Sequence, residues 1–482
     1  MRKLAFAMAV VTLAVRAQAA DIVTDWSATI RNVMQQNGTH PVNQANPGWS
    51  TRSMAMMNTA IYDVFQAFDR THQPFLVDAH AQPNTSLEAA VHQAAYEALV
   101  DCYPGEKGML DTVYNARMAL IPDGANKTNG INLGHSIAQA CVTNRANDNA
   151  KVTTPYTPGT QPGQWRPDPY NPGQSAWGPG WGTVHTFGIP NTADFVNALT
   201  PIPTLNSAAY TDAFNMVKQY GALNSTARTQ EQTRIGLFWA YDRPSMGPPS
   251  VLFTRHLEEI AAQTGNTPAE NARLFAMASV AHADAATASW DAKFKYNFWR
   301  PVAAIQEADA DGNPNTVADP TWRPMGAPGG DPAGMTDDFT PPFPSWTSGH
   351  ATIGGAWYKS IELFYGTNKF DEIDGVVGND LSYTLTSEEA GGGSSRDFTT
   401  FTQTGELSPG TENSPEGENG MSRVYLGVHW IFDQRDGITL GNNIANYVAA
   451  NHFQAVPEPS TLALAACALA ALAASAVRRQ GT

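Results

Sequence analysis

Helical periodicity constrains this chain more than any other feature. Apolar residues recur at three- and four-residue spacing in Ser53–Phe68, Leu87–Cys102, Gly130–Arg145, Ala208–Tyr220, Thr226–Tyr241, Val251–Thr264, Pro268–Phe294, Gly349–Tyr365 and Asp436–Asn451, and alternating patterns are scarce. These segments are joined by long stretches rich in Gly, Pro, Asn and Trp, roughly 153–201, 309–344 and 391–420. Loops of that length usually carry function rather than merely connecting elements. The expected fold class is therefore all-α, a helical bundle with long loops building one rim.

The two ends read as addresses. Arg2 and Lys3 precede an apolar run from Leu4 to Val15, and Ala17-Gln18-Ala19 is a small-x-small cleavage site, so residues 1–19 are expected to be a signal peptide. At the other end, Val456-Pro457-Glu458-Pro459-Ser460 leads into an Ala/Leu-rich run from Thr461 to Val477, closed by Arg478 and Arg479. The run is just long enough to cross a bilayer of about 30 Å. Its order resembles the PEP-CTERM sorting tail that an exosortase processes, which implies an exported protein; a plain anchor is the other reading. The expected division is 20–220 as an N-terminal helical region, 221–455 as the region bearing the site, and 456–482 as the sorting signal.

The formal net charge of −15 argues against nucleic acid as a partner. Within the body, Cys102 and Cys141 leave two readings open, a single disulfide or two buried thiols. The scattered His40, His72, His80, His92, His135 and His185 are assigned no role, and Asp309-Ala310-Asp311-Gly312-Asn313 reads as a polar turn rather than a calcium loop.

Against the acidic background, three short stretches stand out. The first carries Lys293 and Arg300-Pro301. The second carries Ser348-Gly349-His350 after Pro344, just ahead of an apolar helical run. The third carries Ser422-Arg423, His429 and Asp433. Arginine forks and a lysine point charge suit a tetrahedral oxyanion such as phosphate or vanadate, and Ser348 and Gly349 at a helix N-terminus would add backbone dipoles. His429 and Asp433, four apart, would share a helix face, with the carboxylate fixing the imidazole tautomer. Arg423 is expected to precede that helix. Lys293 and Arg300 are expected about two turns apart on a helix that stops at Pro301. Taken singly, each stretch is also an ordinary cap, surface pair or exposed cation.

The order Lys-x6-Arg-Pro, Pro-x3-Ser-Gly-His, Ser-Arg-x5-His-x3-Asp resembles the signature of the superfamily that joins type 2 phosphatidic acid phosphatases, class A acid phosphatases and vanadium-dependent haloperoxidases. Thr347 departs from the contiguous Pro-Ser-Gly-His of many members. PPFPSWTSGHATIGGAW, with Phe343, and Trp290 three residues before Lys293 resemble the chloroperoxidase branch, and FWAYDRP resembles a segment whose aspartate, here Asp242, pairs with the third-motif arginine. The resemblance implies a vanadate cofactor held by Lys293, Arg300, Arg423, Ser348 and Gly349, with His429 as axial ligand to vanadium. It implies His350 as acid–base group, Asp433 orienting His429, Trp290 and Phe343 flanking the halide, and hydrogen peroxide, halide and an organic acceptor as reaction partners. The alternative is an exported acid phosphatase, in which phosphate takes the site, His429 attacks phosphorus and His350 protonates the leaving oxygen.

Overall fold

The computed structural model describes residues 21–36, 47–241, 246–327, 340–376, 378, 381–389 and 394–457. The expected signal peptide, the run 461–477 and Asp242 lie outside these residues. Helices dominate: α1 (Ile22–Gln36), α2 (Pro47–Asp69), α3 (Leu87–Cys102), α4 (Lys107–Met118), α5 (Ala125–Arg145), α6 (Ala193–Val196), α7 (Ala208–Tyr220), α8 (Gln230–Phe238), α9 (Pro249–Thr264), α10 (Pro268–Tyr296), α11 (Pro301–Gln306), α12 (Gly349–Tyr365), α13 (Pro415–Tyr425) and α14 (Ile431–Asn451). Among the described residues the exception to the all-α pattern is an antiparallel pair, β1 (Tyr383–Ser387) and β2 (Ser394–Phe398), in register Tyr383 opposite Phe398. Among the described residues no helix is long and apolar enough to cross a membrane.

The periodic segments become helices because their apolar stripes meet one shared core. It runs from Val23 to Phe453 and takes side chains from both sides of residue 220. α10 forms its axis. Thr267 caps it with a reciprocal bond to Glu270, and its alanine- and serine-rich middle, Ala276–Ser289, is wholly buried, so neighbours approach closely. A buried polar chain crosses the core: Ser50 Oγ to Ser250 Oγ (2.9 Å), Ser250 to His282 Nε2 (3.1 Å), and His282 Nδ1 to the Ile353 carbonyl (3.1 Å). It ties α2, α9, α10 and α12 together.

α12 and α14 pack backbone to backbone. A Cβ on Gly441 would lie 2.2 Å from the Thr352 carbonyl, and one on Gly437 would lie 3.0 Å from the Ala351 Cβ. Only glycine allows that approach, and it brings the start of α12 beside the start of α14. Carboxylates organise the loops. Asp284 on α10 accepts from the amides of Phe187, Gly188 and Ile189 at 2.6–2.8 Å, and Asp63 on α2 accepts from those of Phe75, Leu76 and Val77 at 2.6–2.9 Å. Asp311 accepts from Asn313 N–H and Thr316 Oγ1, closing a polar turn. Cys102 and Cys141 are separate buried thiols, each against Met56 at 3.6 Å.

Candidate active site

The three stretches converge, with geometry that differs from the spacing argument in two places. α10 ends at Tyr296, where Asn297 turns left-handed (φ 52°), so Lys293 lies in its last turn while Arg300 is the N-cap of α11. The helix thus breaks at Asn297, before Pro301. Arg423 precedes α14, as expected, and does so from the last turn of a separate helix, α13. His429 precedes α14 rather than riding on it, and Asp433 sits at the third position of that helix. Asp433 therefore reaches back as a helix start does: its Oδ2 accepts from His429 Nδ1–H (2.7 Å) and from the Trp430 amide (3.1 Å).

Ser348 is the N-cap of α12, its Oγ accepting from the Ala351 amide, and Gly349 and His350 open the helix. The Ser348 amide donates to the Asp433 carbonyl (3.0 Å), which joins the two helix starts. Gly349 has a packing reason besides: a Cβ there would lie 3.3 Å from Trp290.

Lys293 is buried, and its ammonium donates to the carbonyls of Pro344 (3.0 Å), Ser345 (2.9 Å) and Thr347. Arg300, also buried, donates to the carbonyls of Phe343 (2.9 Å) and Val428 (2.8 Å) and, through Nη1, to His429 Nε2 (2.9 Å). Arg423 donates to the Ala240 carbonyl (3.3 Å), which also accepts from His350 Nε2–H (3.1 Å). Phe343 stacks against Trp290 with centroids 4.9 Å apart, and its ring lies 5.1 Å from the Lys293 ammonium and 4.9 Å from the Arg300 guanidinium. His350, His429, Arg423, Gly349, Trp290 and Phe343 line one small cavity.

The electrostatics follow from burial among cations. Both imidazoles are held well below the ordinary range. For His350 the causes are burial, then Arg423, with Arg300 and Lys293 adding. For His429 they are burial, then Arg300, Lys293, Arg423 and His350. Burial pushes Asp433 up to about 7, against the pull of Lys293. The hydrogen bonds then set the tautomers. Nδ1 of His429 carries the proton and Nε2 presents a lone pair; in His350 the proton is on Nε2 and Nδ1 is left to accept.

Sequence reasoning missed three supports: the Ala240 carbonyl, the carbonyl row 344–347, and Asn419, whose Nδ2 donates to the His350 carbonyl at 2.7 Å. A carbonyl has no residue signature. For Asn419 the one available signal is Gly354, where a Cβ would lie 2.3 Å from the amide nitrogen.

Residues 273–458 match the family model of the VCPO second helical-bundle domain, and residues 455–479 match the PEP-CTERM protein-sorting motif. The first match spans Lys293, Arg300, Ser348, Gly349, His350, Arg423, His429 and Asp433, and the second suggests an exported protein sorted at the cell envelope. Among particular relatives, the vanadium chloroperoxidase of Curvularia inaequalis is 36% identical over 263 residues, which span 47% of this chain and 41% of that protein. The match therefore covers about two fifths of that relative's length. Two crystal structures share the fold. The first bacterial vanadium-dependent iodoperoxidase has a TM-score of 0.69 at 20% identity, covering 90% of this chain and 98% of that one. A holo-type bacterial vanadium-dependent chloroperoxidase has a TM-score of 0.60 at 16% identity, covering 88% and 96%.

Proposed function

We propose that this chain is a vanadate-dependent haloperoxidase that oxidises halide with hydrogen peroxide to hypohalous acid. The observation that carries the reading is a neutral His429, its Nε2 lone pair set among Lys293, Arg300 and Arg423 beside the Trp290–Phe343 pair. The donor set suits an oxyanion: three cations, the Ser348 hydroxyl and the Gly349 amide at a helix N-terminus. At intermediate dielectric such cations repel one another by about 1 kcal/mol or more per pair, so an anion stabilises the assembly. When bound, vanadate supplies a Lewis-acidic centre that activates peroxide toward halide.

The chain's own residues then have distinct duties. Lys293, Arg300 and Arg423 bind and orient the oxyanion oxygens, with Asp242 holding Arg423. His429 offers Nε2 to the metal, and Asp433 keeps the proton on Nδ1. His350, neutral because of its surroundings, takes the proton of hydrogen peroxide at Nδ1 and returns it to a leaving oxygen. Trp290 and Phe343 form the apolar side of the halide position. Residues 221–455 carry the chemistry and 20–220 buttress it. Residues 1–19 direct export, and an exosortase acts on the tail 456–482, which places the body outside the cytoplasm.

The test assays the purified metal-stripped protein with hydrogen peroxide and bromide, with and without orthovanadate, and with a phosphate monoester in parallel. Vanadate-dependent halogenation with slow hydrolysis is expected. Fast hydrolysis inhibited by vanadate, without halogenation, would make it a phosphatase.

A further inference from the structure

The stretch between α5 and α6, with Pro342, lines a second, half-open cavity of about 650 Å³, within the size range of small-molecule sites. Its walls include the rings of Tyr156, Trp177 and Trp181 together with Pro342, and its rim carries Lys151 and Gln174. This cavity backs onto the oxyanion site. The Trp177 amide donates to the Pro342 carbonyl at 2.9 Å, its carbonyl accepts from Trp290 Nε1 at 3.3 Å, and its ring lies 6.4 Å from that of Phe343. Gly178 (φ +63°) brings this backbone hard against the indole; a Cβ there would lie 2.8 Å from Trp290 Nε1. Since Trp290 and Phe343 line the cavity of His350 and His429, an aromatic layer of Trp177, Phe343 and Trp290 stands between the two spaces.

The lining also selects by charge. In a chain of net charge −15, the described residues around this cavity include Lys151 and no carboxylate. Planar rings stack on its indole walls, Gln174 can hydrogen-bond a hydroxyl, and Lys151 attracts an anion.

We propose that this cavity binds a phenol bearing an anionic substituent, the organic acceptor of the oxidised halogen. The inference rests on the haloperoxidase reading. Hydrogen peroxide, halide and a proton give hypohalous acid and water. The HO–X bond then breaks as a C–X bond forms ortho to the phenol hydroxyl, and the displaced ring proton leaves with hydroxide as a second water. A phenol held in this cavity lies one aromatic layer, Trp177, Phe343 and Trp290, from the site of oxidation.

The test uses the full chain with 4-hydroxybenzoate as the anionic probe and tyramine as its cationic counterpart. Without vanadate or halide, saturation-transfer NMR should show saturable binding of 4-hydroxybenzoate. Lys151→Glu, at an exposed rim position, should weaken that binding by about tenfold, and Ala176→Trp, which fills the cavity, should do the same. With vanadate, peroxide and bromide, the two phenols compete. The protein should brominate 4-hydroxybenzoate over tyramine at a higher ratio than reagent hypobromite does, and Lys151→Glu should bring the ratio down to the reagent value. Halogenation at the reagent ratio with no saturable binding would overturn the acceptor site and leave the haloperoxidase reading standing. Saturable binding without halogenation of either phenol would overturn both that reading and the acceptor role.

Discussion

Two buried arginines in this molecule are held in different ways. Arg52, in the N-terminal helices, donates to the Asp148 carboxylate at 2.7 Å and to the Arg145 carbonyl at 3.0 Å. Arg300, at the site, donates to two carbonyls and an imidazole. A carboxylate cancels the charge of a buried cation; carbonyls orient the cation without cancelling it. His350 and His429 beside it are held well below the ordinary imidazole range, by burial first and by the site cations in addition. One region ties an arginine to a carboxylate, the other sets it among backbone oxygens and an imidazole.

The strongest way to break this contrast is His429→Ala. It removes the lone pair at the centre of the cations and should abolish halogenation, a loss of about a thousandfold or more, with vanadate affinity falling in equilibrium dialysis. Full activity in this variant would refute the assignment. Next, Arg52→Met should cost about 3–5 kcal/mol of stability, because Asp148 is left as an unpaired buried charge; denaturant unfolding reads this directly, and a loss under about 1 kcal/mol would contradict it. Asp433→Asn should lower vanadate affinity by about 10–100-fold, the usual effect of losing a group that orients a metal-binding imidazole.

A smaller effect concerns pH. Burial pushes His256 and His282 down to about 3. Below the ordinary imidazole pKa of about 6.5 the unfolded chain takes up protons that the folded chain refuses. Their contribution to stability is therefore complete above about 6.5 and is lost as pH falls toward 3, at about 1.4 kcal/mol per pH unit for each. His282→Gln should flatten the fall of Tm between pH 6.5 and 4.5; parallel curves would contradict this. The smallest change is Phe343→His, expected to shift preference from chloride toward bromide, and an unchanged ratio would remove Phe343 from the halide argument.

The helical core was legible because burial demands a stripe. Leu87–Cys102, Ala208–Tyr220 and Gly349–Tyr365 match the helices residue for residue. α13 was not legible. Its sequence, PEGENGMSRVY, opens well, with Ser414 as cap and Pro415 at the first position, but its two glycines argue against continuing the helix; every one of its residues is buried, so packing overrides local preference. Arg423 therefore lies ahead of α14, as expected, but in a helix of its own. The site's residue types were legible because oxyanion chemistry restricts them, whereas the backbone oxygens that aim Lys293 and Arg300 belong to no residue type. The His429–Asp433 pair was found for a reason that needed correcting: a four-residue gap also fits a residue before the helix and one in its first turn.

The central claim is that Arg300 helps hold a potential meant for an anion. Thermal unfolding of the full chain and of Arg300→Met, each with and without orthovanadate, tests it most directly. At a vanadate concentration of about a hundred times Kd, the unaltered chain should gain about 2.7 kcal/mol, and Arg300→Met should gain little at the same concentration. An equal gain in both would contradict the account.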